Sequence, residues 1–114
     1  MFPGHCYFKD QTVRIWQWPP EVLTALGTAT ALYGSINLPC VVTSGNDAKH
    51  RIGSLHYVGR AFDLRSKTVP REKLDRLVGD LRRELGPRFD VVLESRGGDN
   101  EHIHVELDPK LEEV

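Results

Sequence analysis

Apolar and polar positions along residues 69–86 follow the repeat of an amphipathic helix. Leucine or valine recurs every three or four positions, and charged residues occupy most positions between them. The apolar stripe consists of Leu74, Leu77, Val78, Leu81 and Leu85. Pro70 is suited to the start of the helix and Gly86 to its end. We expect a scaffold helix whose arginines face solvent.

A second helix is predicted to begin at Pro19-Pro20, since proline is tolerated in the first helical turn. Apolar residues then recur at helical spacing as far as Gly34, which is a favourable stop signal. These residues are Val22, Leu23, Leu26, Ala29, Leu32 and Tyr33.

Five short segments have the alternation or the continuous apolar character of strands. They are residues 12–18, 40–45, 61–64, 89–94 and 102–107. The last two are separated by the glycine-rich SRGGDN, which predicts a hairpin or a longer loop. Together the elements predict an α+β fold, with two helices packed on one face of a small, mostly antiparallel sheet. We expect a single domain over residues 1–114.

The bulk composition is that of an ordinary soluble domain. The chain is 39% hydrophobic and 27% charged, and its net charge of −1 gives no reason to expect nucleic acid or a membrane as partner. No apolar run approaches the ~20 residues that span a bilayer. The N-terminus lacks the charged start and apolar stretch of a secretory leader, so we expect synthesis in the cytoplasm without a signal peptide.

The two cysteines, Cys6 and Cys40, are too few and too far apart for a cysteine-rich zinc site. We interpret them as two separate thiols, with Cys40 packed at the start of a strand. The sequence gives no support for a disulfide between them. Trp16 and Trp18 are interpreted as core or edge packing rather than as the lining of a cleft.

Alternation along residues 102–107 places His102, His104 and Glu106 on one face of a strand. The isoleucine, valine and leucine between them form the other face, which we expect to meet the helices. The histidine face then looks into a cleft, because buried imidazoles need hydrogen-bond partners. Alone, such a pair is more often two ordinary exposed or hydrogen-bonded histidines.

The stretch GSLHYVGRAFDLR, residues 53–65, changes that balance. It places His56 and Asp63 on either side of a segment containing Gly59 and Ala61, whose small side chains suit a tight turn into a strand. Imidazole and carboxylate both bind zinc, and a catalytic zinc takes three protein ligands and keeps one position open. These two residues and the distant His-x-His fit a site with two histidines and one aspartate.

SLHYVGRAFD resembles the Ser-x-His-x-x-Gly-x-Ala-x-Asp motif of zinc peptidases that cut peptidoglycan peptides at D-amino acids. That family includes D-alanyl-D-alanine carboxypeptidases and dipeptidases, and phage L-alanyl-D-glutamate endolysins. HIHVEL is similar to the His-x-His that closes the same site, and hedgehog signalling domains share the core. The resemblance runs from about Val41 to Leu107 and implies a hedgehog/DD-peptidase-like fold.

Carried onto this sequence, the resemblance makes His56, Asp63 and His104 the ligands of one zinc ion per chain. It makes Glu101, three residues before the last histidine, the general base. His102 becomes a transition-state stabiliser or a second acid/base.

The resemblance implies roles for two further residues, Ser54 and Glu94. Ser54, which opens the first motif, is carried over as a substrate-binding residue. Glu94 is a rival base, since hedgehog-type sequences have a glutamate at the close of the preceding strand. A carboxylate that merely faces solvent at the strand end is the alternative for Glu94.

One departure concerns the residues after Ser44-Gly45, where many family members have an aromatic residue and an arginine. Here Asn46 and Asp47 follow, so that arginine is missing. His50 or Arg51 could replace it at the substrate, and a similar pattern in short phage-type relatives makes Asp47 and His50 candidate site residues. A solvated loop is the alternative.

The implied function is hydrolysis of a peptide bond in bacterial peptidoglycan, of the D-Ala-D-Ala carboxypeptidase or L-Ala-D-Glu endopeptidase type. We expect a phage-encoded monomer that reaches the cell wall after release or as part of a virion. The alternative, motivated by the missing arginine, is a non-hydrolytic zinc-bearing structural or binding module of a virion.

Overall fold

A five-stranded sheet carries two helices in this computed structural model, which describes residues 1–15, 17–45 and 60–108. The strands are β1 (Cys6–Phe8), β2 (Cys40–Ser44), β3 (Ala61–Arg65), β4 (Phe89–Glu94) and β5 (His102–Leu107). The helices are α1 (Pro20–Ser35) and α2 (Arg71–Leu85). The strand order is β1-β2-β3-β5-β4, and only the β1–β2 pair among these strands is parallel. The predicted α+β class with a mostly antiparallel sheet is confirmed.

Helix α2 forms as its apolar stripe predicts. Leu74, Leu77, Val78 and Leu81 are buried, and Pro70 and Gly86 flank the helix. Gly86 has a φ of 80°, a left-handed conformation that glycine adopts without steric cost, and its N–H donates to the carbonyl of Arg82 at 3.1 Å.

Helix α1 begins at Pro20 and ends one residue after Gly34. The chain reverses at Asn37, whose φ is 63°, and the N–H of Leu38 donates to the carbonyl of Tyr33. Gly34 has a different role, because a Cβ there would lie 2.9 Å from the Cα of Gly4. The absence of a side chain at Gly34 therefore allows the N-terminal segment to lie against α1.

One hydrophobic core lies between the helices and the sheet. Val22, Ala25, Ala29 and Tyr33 of α1 join the buried face of α2 and the core-facing residues of the strands. Those strand residues include Cys40, Val42, Phe62, Leu64, Val91, Ile103, Val105 and Leu107. Trp18 stacks on Phe62 with 5.5 Å between ring centroids, so its predicted role in core packing is confirmed; Trp16 lies outside the described residues.

The strand predicted over residues 12–18 is wrong for the part of that span that the structure describes. Residues 12–15, 17 and 18 are not in a strand, and Gln17 has a φ of 60° that interrupts extended backbone. A short strand occurs upstream instead, at Cys6–Phe8, where it extends the sheet by pairing with β2.

Pairing of β3 with β5 fixes which side chains share the face away from the helices. Phe62 and Leu64 belong to the core, so Asp63 points to the opposite face. Opposite Asp63 across the ladder is His104. On its other side, β3 meets a register shift in β2 between Val42 and Ser44, an irregularity of the kind that re-aims side chains.

Neither described helix has the length and apolar character needed to cross a membrane.

Candidate functional site

Asp63 and His104 form a close pair on the sheet face that the helices leave uncovered. His104 Nδ1 lies 2.9 Å from Asp63 Oδ1, within hydrogen-bond distance. The two side chains are only 11% and 14% exposed, so the pair lies in a recess rather than on an open surface. Two of the three predicted zinc ligands are thus brought together by backbone register.

Glu106 holds the other ring nitrogen of His104, with Nε2 and Oε1 2.7 Å apart. Burial alone would lower the pKa of His104, but the hydrogen bonds to Asp63 and Glu106 outweigh it and raise the pKa to about 9. In the metal-free protein at neutral pH, both ring nitrogens therefore carry protons and donate to carboxylates.

His102 lies beside this pair, on the same face of β5. Its Nδ1 is 2.7 Å from the carbonyl oxygen of Asn100, an acceptor that requires a proton on Nδ1. Its Nε2 lies 3.3 Å from Glu94 Oε2 and 3.8 Å from Asp63 Oδ2. Glu94 and His102 are paired across the β4–β5 ladder, which brings the rival carboxylate next to the imidazole.

Three carboxylates thus surround two imidazoles: Asp63, Glu94 and Glu106 around His102 and His104. When the imidazoles are neutral, this group is strongly anionic. Its electrostatic potential favours a bound cation or a proton.

Glu101 is not part of this group. Its buried carboxylate accepts hydrogen bonds from Arg71 Nη1 at 2.8 Å, from Ser66 Oγ at 2.5 Å and from the N–H of Gly97 at 2.8 Å. Arg71 opens α2, so Glu101 is held at the helix-covered side of the sheet. These contacts, with that of Arg71 the strongest, lower the pKa of Glu101 to about 2. A carboxylate held in this way is a poor proton acceptor near neutral pH.

The remaining predicted site residues lie outside the described residues. They are the zinc ligand His56 and the substrate-binding candidates Asp47, His50, Arg51 and Ser54. Within residues 1–15, 17–45 and 60–108, no three His, Cys, Asp or Glu side chains form a group that could hold a metal ion.

The spacing of Asp63 and His104 is nevertheless compatible with two of the three ligands of the predicted zinc site. Two ligands at zinc–ligand distances near 2.0–2.1 Å in a tetrahedral site lie about 3.3 Å apart. The observed separation of 2.9 Å between Asp63 and His104 needs only a small increase to reach that value. Glu106 matches the carboxylate that typically accepts the second N–H of a metal-binding histidine.

Glu106 received no role in the sequence-based site, although the signal was present. It follows His104 by two positions in a strand, and residues at that spacing lie on the same face.

Comparison of the sequence with protein-family models and with curated proteins finds no match.

Proposed function

We propose that this protein is a zinc-dependent peptidase that hydrolyses a peptide bond in bacterial cell-wall peptidoglycan. The observation that carries the proposal is the direct pairing of Asp63 with His104, the aspartate of one family-like motif with the last histidine of the other. The proposal includes a hedgehog/DD-peptidase-like fold, a phage origin and a monomer acting on the peptide part of the wall.

Asp63, His104 and His56 would hold the metal, with Glu106 orienting the ring of His104 through Nε2. When bound, zinc supplies the Lewis acidity that activates water and polarises a substrate carbonyl oxygen. Deprotonation of His104 Nδ1 is the step that the chain itself must provide, since a ligand nitrogen needs its lone pair.

His102 is the residue that we propose as general base. Its Nδ1 donates to the Asn100 carbonyl, which leaves Nε2 as the nitrogen that accepts and returns a proton. The carboxylate of Glu94, with Oε2 3.3 Å from Nε2, stabilises the imidazolium that results. His102 Nε2 would take a proton from the attacking water and pass it to the departing amine. Glu101 has no proposed part in this transfer, because its carboxylate is paired with Arg71.

The test compares two histidine variants of the zinc-reconstituted protein. His104→Ala is expected to lose bound zinc and all release of new amino termini from purified peptidoglycan. His5→Ala is the matched control, since His5 is exposed in the N-terminal segment. It should keep one zinc per chain and full activity. Hydrolysis that survives in His104→Ala would overturn the proposal.

A second candidate function is a zinc-bearing module without turnover. The pairing of Glu101 with Arg71 favours it, because the acidic residue at the position of the family's base is occupied structurally. Stoichiometric zinc with no hydrolysis of any peptidoglycan chemotype would select this module over the peptidase.

A further inference from the structure

Cys6 and Cys40 lie directly opposite each other in the parallel pair of β1 and β2. The pair is held by the N–H of Cys40, which donates to the carbonyl of His5 at 2.9 Å. Neighbouring strands lie about 4.7–4.9 Å apart, and disulfides join Cα atoms that are about 4.4–6.8 Å apart. Backbone pairing therefore places the two cysteines at a separation that a disulfide can bridge.

The two thiols are in contact but differ in their surroundings. Cys6 is exposed on an edge strand, whereas Cys40 is fully buried in the core. The thiols hydrogen-bond with each other and with the hydroxyl of Thr30 on α1. The sequence-based interpretation of two separate thiols missed this contact because β1 was not predicted.

Those contacts make one thiol a better nucleophile than the other. The hydrogen bond from Cys40 lowers the pKa of Cys6 to about 7, against the opposing effect of burial and with help from Thr30. The same hydrogen bond, together with burial, raises the pKa of Cys40. A thiol that is partly ionised near neutral pH on an exposed residue, next to a protonated thiol in the core, is the arrangement of an attacking and a resolving thiol.

We propose that Cys6 and Cys40 form a dithiol site that exchanges with small-molecule disulfides, with Cys6 attacking and Cys40 resolving. Cys6 Sγ attacks one sulfur of the disulfide RSSR, so that a mixed disulfide forms and one thiolate RS⁻ leaves. Cys40 then loses its proton and attacks Cys6 Sγ, releasing the second RS⁻. The protein dithiol is oxidised by two electrons, and RSSR is reduced to two RSH after protonation.

The bond would tie the N-terminal edge of the sheet to the core. Strand β1 has three residues and pairs only with β2 among the described strands. A covalent link from Cys6 to Cys40 would close a loop of the chain that contains α1, and it would hold β1 in register with β2. This site is independent of the proposed peptidase function, which uses His56 and residues of β3, β4 and β5.

The test uses oxidised glutathione as the disulfide. Fully reduced full-length protein is incubated with it at pH 7, quenched with acid, and analysed by intact mass and peptide mapping. The expected product has lost two hydrogen atoms, contains a Cys6–Cys40 cross-link, and melts on the order of 10 °C higher than the reduced form. Protein that stays reduced, or that carries glutathione on both cysteines without a cross-link, would overturn the proposal.

Two single variants separate the roles, since the chain has no other cysteine. Cys40→Ala should stop at a mixed disulfide between Cys6 and glutathione, whereas Cys6→Ala should remain unmodified over the same time. Equal reaction of both variants contradicts the assignment.

Native alkylation of the wild-type protein gives a readout that does not depend on the folding of the variants. Iodoacetamide should modify Cys6 before Cys40, with a pH midpoint near 7, and equal rates at the two thiols would also overturn the proposal.

Discussion

Asp63 and His104 face each other across the β3–β5 ladder, with 2.9 Å between Oδ1 and Nδ1. Both positions are set by the register of paired strands rather than by a loop. Sites built on paired strands hold their side chains more precisely than sites built on loops. Two of the three proposed ligands are therefore positioned by the same hydrogen bonds that build the sheet.

Replacement of Glu106 with glutamine should weaken zinc binding by about 10–100-fold, the usual cost of losing the partner of a metal-binding histidine. Glu106 Oε1 lies 2.7 Å from His104 Nε2 and orients the ring. Glu84→Gln is the matched control, because Glu84 is an exposed residue of α2 that pairs with Arg83. Competition with a zinc-binding dye measures both affinities. Equal affinities for the two variants would remove Glu106 from the site.

Zinc binding at pH 7 should release about one proton from His104, because the pKa of that residue is about 9 in the metal-free protein. Zinc affinity should then rise by up to tenfold per pH unit between about pH 6 and 9. Titration calorimetry in buffers of different ionisation enthalpy counts the released protons. Binding without proton release at pH 7 would show that His104 is not a ligand.

In the absence of zinc, the raised pKa of His104 makes the free energy of unfolding depend on pH. The contribution of His104 to stability is fully present below the ordinary histidine value of 6.5 and is lost as pH rises through about 9. His104→Gln should lack this component of the pH dependence, which denaturant unfolding of the metal-free protein measures.

Replacement of His102 with alanine should lower kcat by about 10²–10⁴-fold and leave the zinc content unchanged, as expected for loss of a general base. Glu94→Gln should cause a smaller loss, roughly tenfold, because it removes the negative charge that lies 3.3 Å from the imidazolium but keeps the imidazole itself. Peptidoglycan hydrolysis and metal analysis of the same samples measure both effects. Loss of zinc from His102→Ala would instead mean that His102 holds the metal.

Strong periodicity made most of the fold predictable from the sequence. The strands at 89–94 and 102–107 have the predicted bounds, and α2 occupies all but the ends of the predicted 69–86. β1 could not be predicted in this way, because three residues have too few positions to show a period. The contact between Cys6 and Cys40 depends on that strand and so could not be anticipated either.

The proximity of Asp63 and His104 was predictable because both of these motif residues lie within strands. Glu101 shows where resemblance and alternation disagree. Glu101 lies two positions before Ile103 and four before Val105, so alternation predicts that its side chain faces the core, as theirs do. The resemblance assigns Glu101 to the cleft instead. The structure agrees with the alternation, since Arg71 and Ser66 bind the carboxylate there.

Replacement of Glu101 with glutamine should destabilise the folded state by about 1–2 kcal/mol at pH 7, because Arg71 and the N–H of Gly97 lose a charged acceptor. The side chain of Arg71 is 52% exposed, which keeps the value low. Glu72→Gln, in the exposed first turn of α2, should change little. Denaturant unfolding measures all three proteins.

The pH dependence of that difference has a definite sign. The pKa of Glu101 is lowered to about 2 from 4.5, so its stabilisation is complete above pH 4.5 and is lost as pH falls towards 2. The gap in unfolding free energy between wild type and Glu101→Gln should therefore shrink over that range. Peptidoglycan hydrolysis should persist in the folded variant. A folded, zinc-loaded Glu101→Gln without activity would return Glu101 to the role of base.

Two glycines of α1 provide an internal comparison for the packing of the N-terminal segment. A Cβ at Gly34 would lie 2.9 Å from the Cα of Gly4, a backbone atom that cannot move aside as a flexible side chain does. Gly34→Ala should therefore destabilise by about 1–3 kcal/mol, the usual cost of overpacking, despite the better helix propensity of alanine. Gly27 is exposed in the same helix with no atom within 4 Å of an added Cβ. Gly27→Ala should stabilise by up to about 1 kcal/mol. Denaturant unfolding measures the change in the free energy of unfolding for each variant. Stabilisation by Gly34→Ala would mean that Gly4 does not pack against α1 in solution.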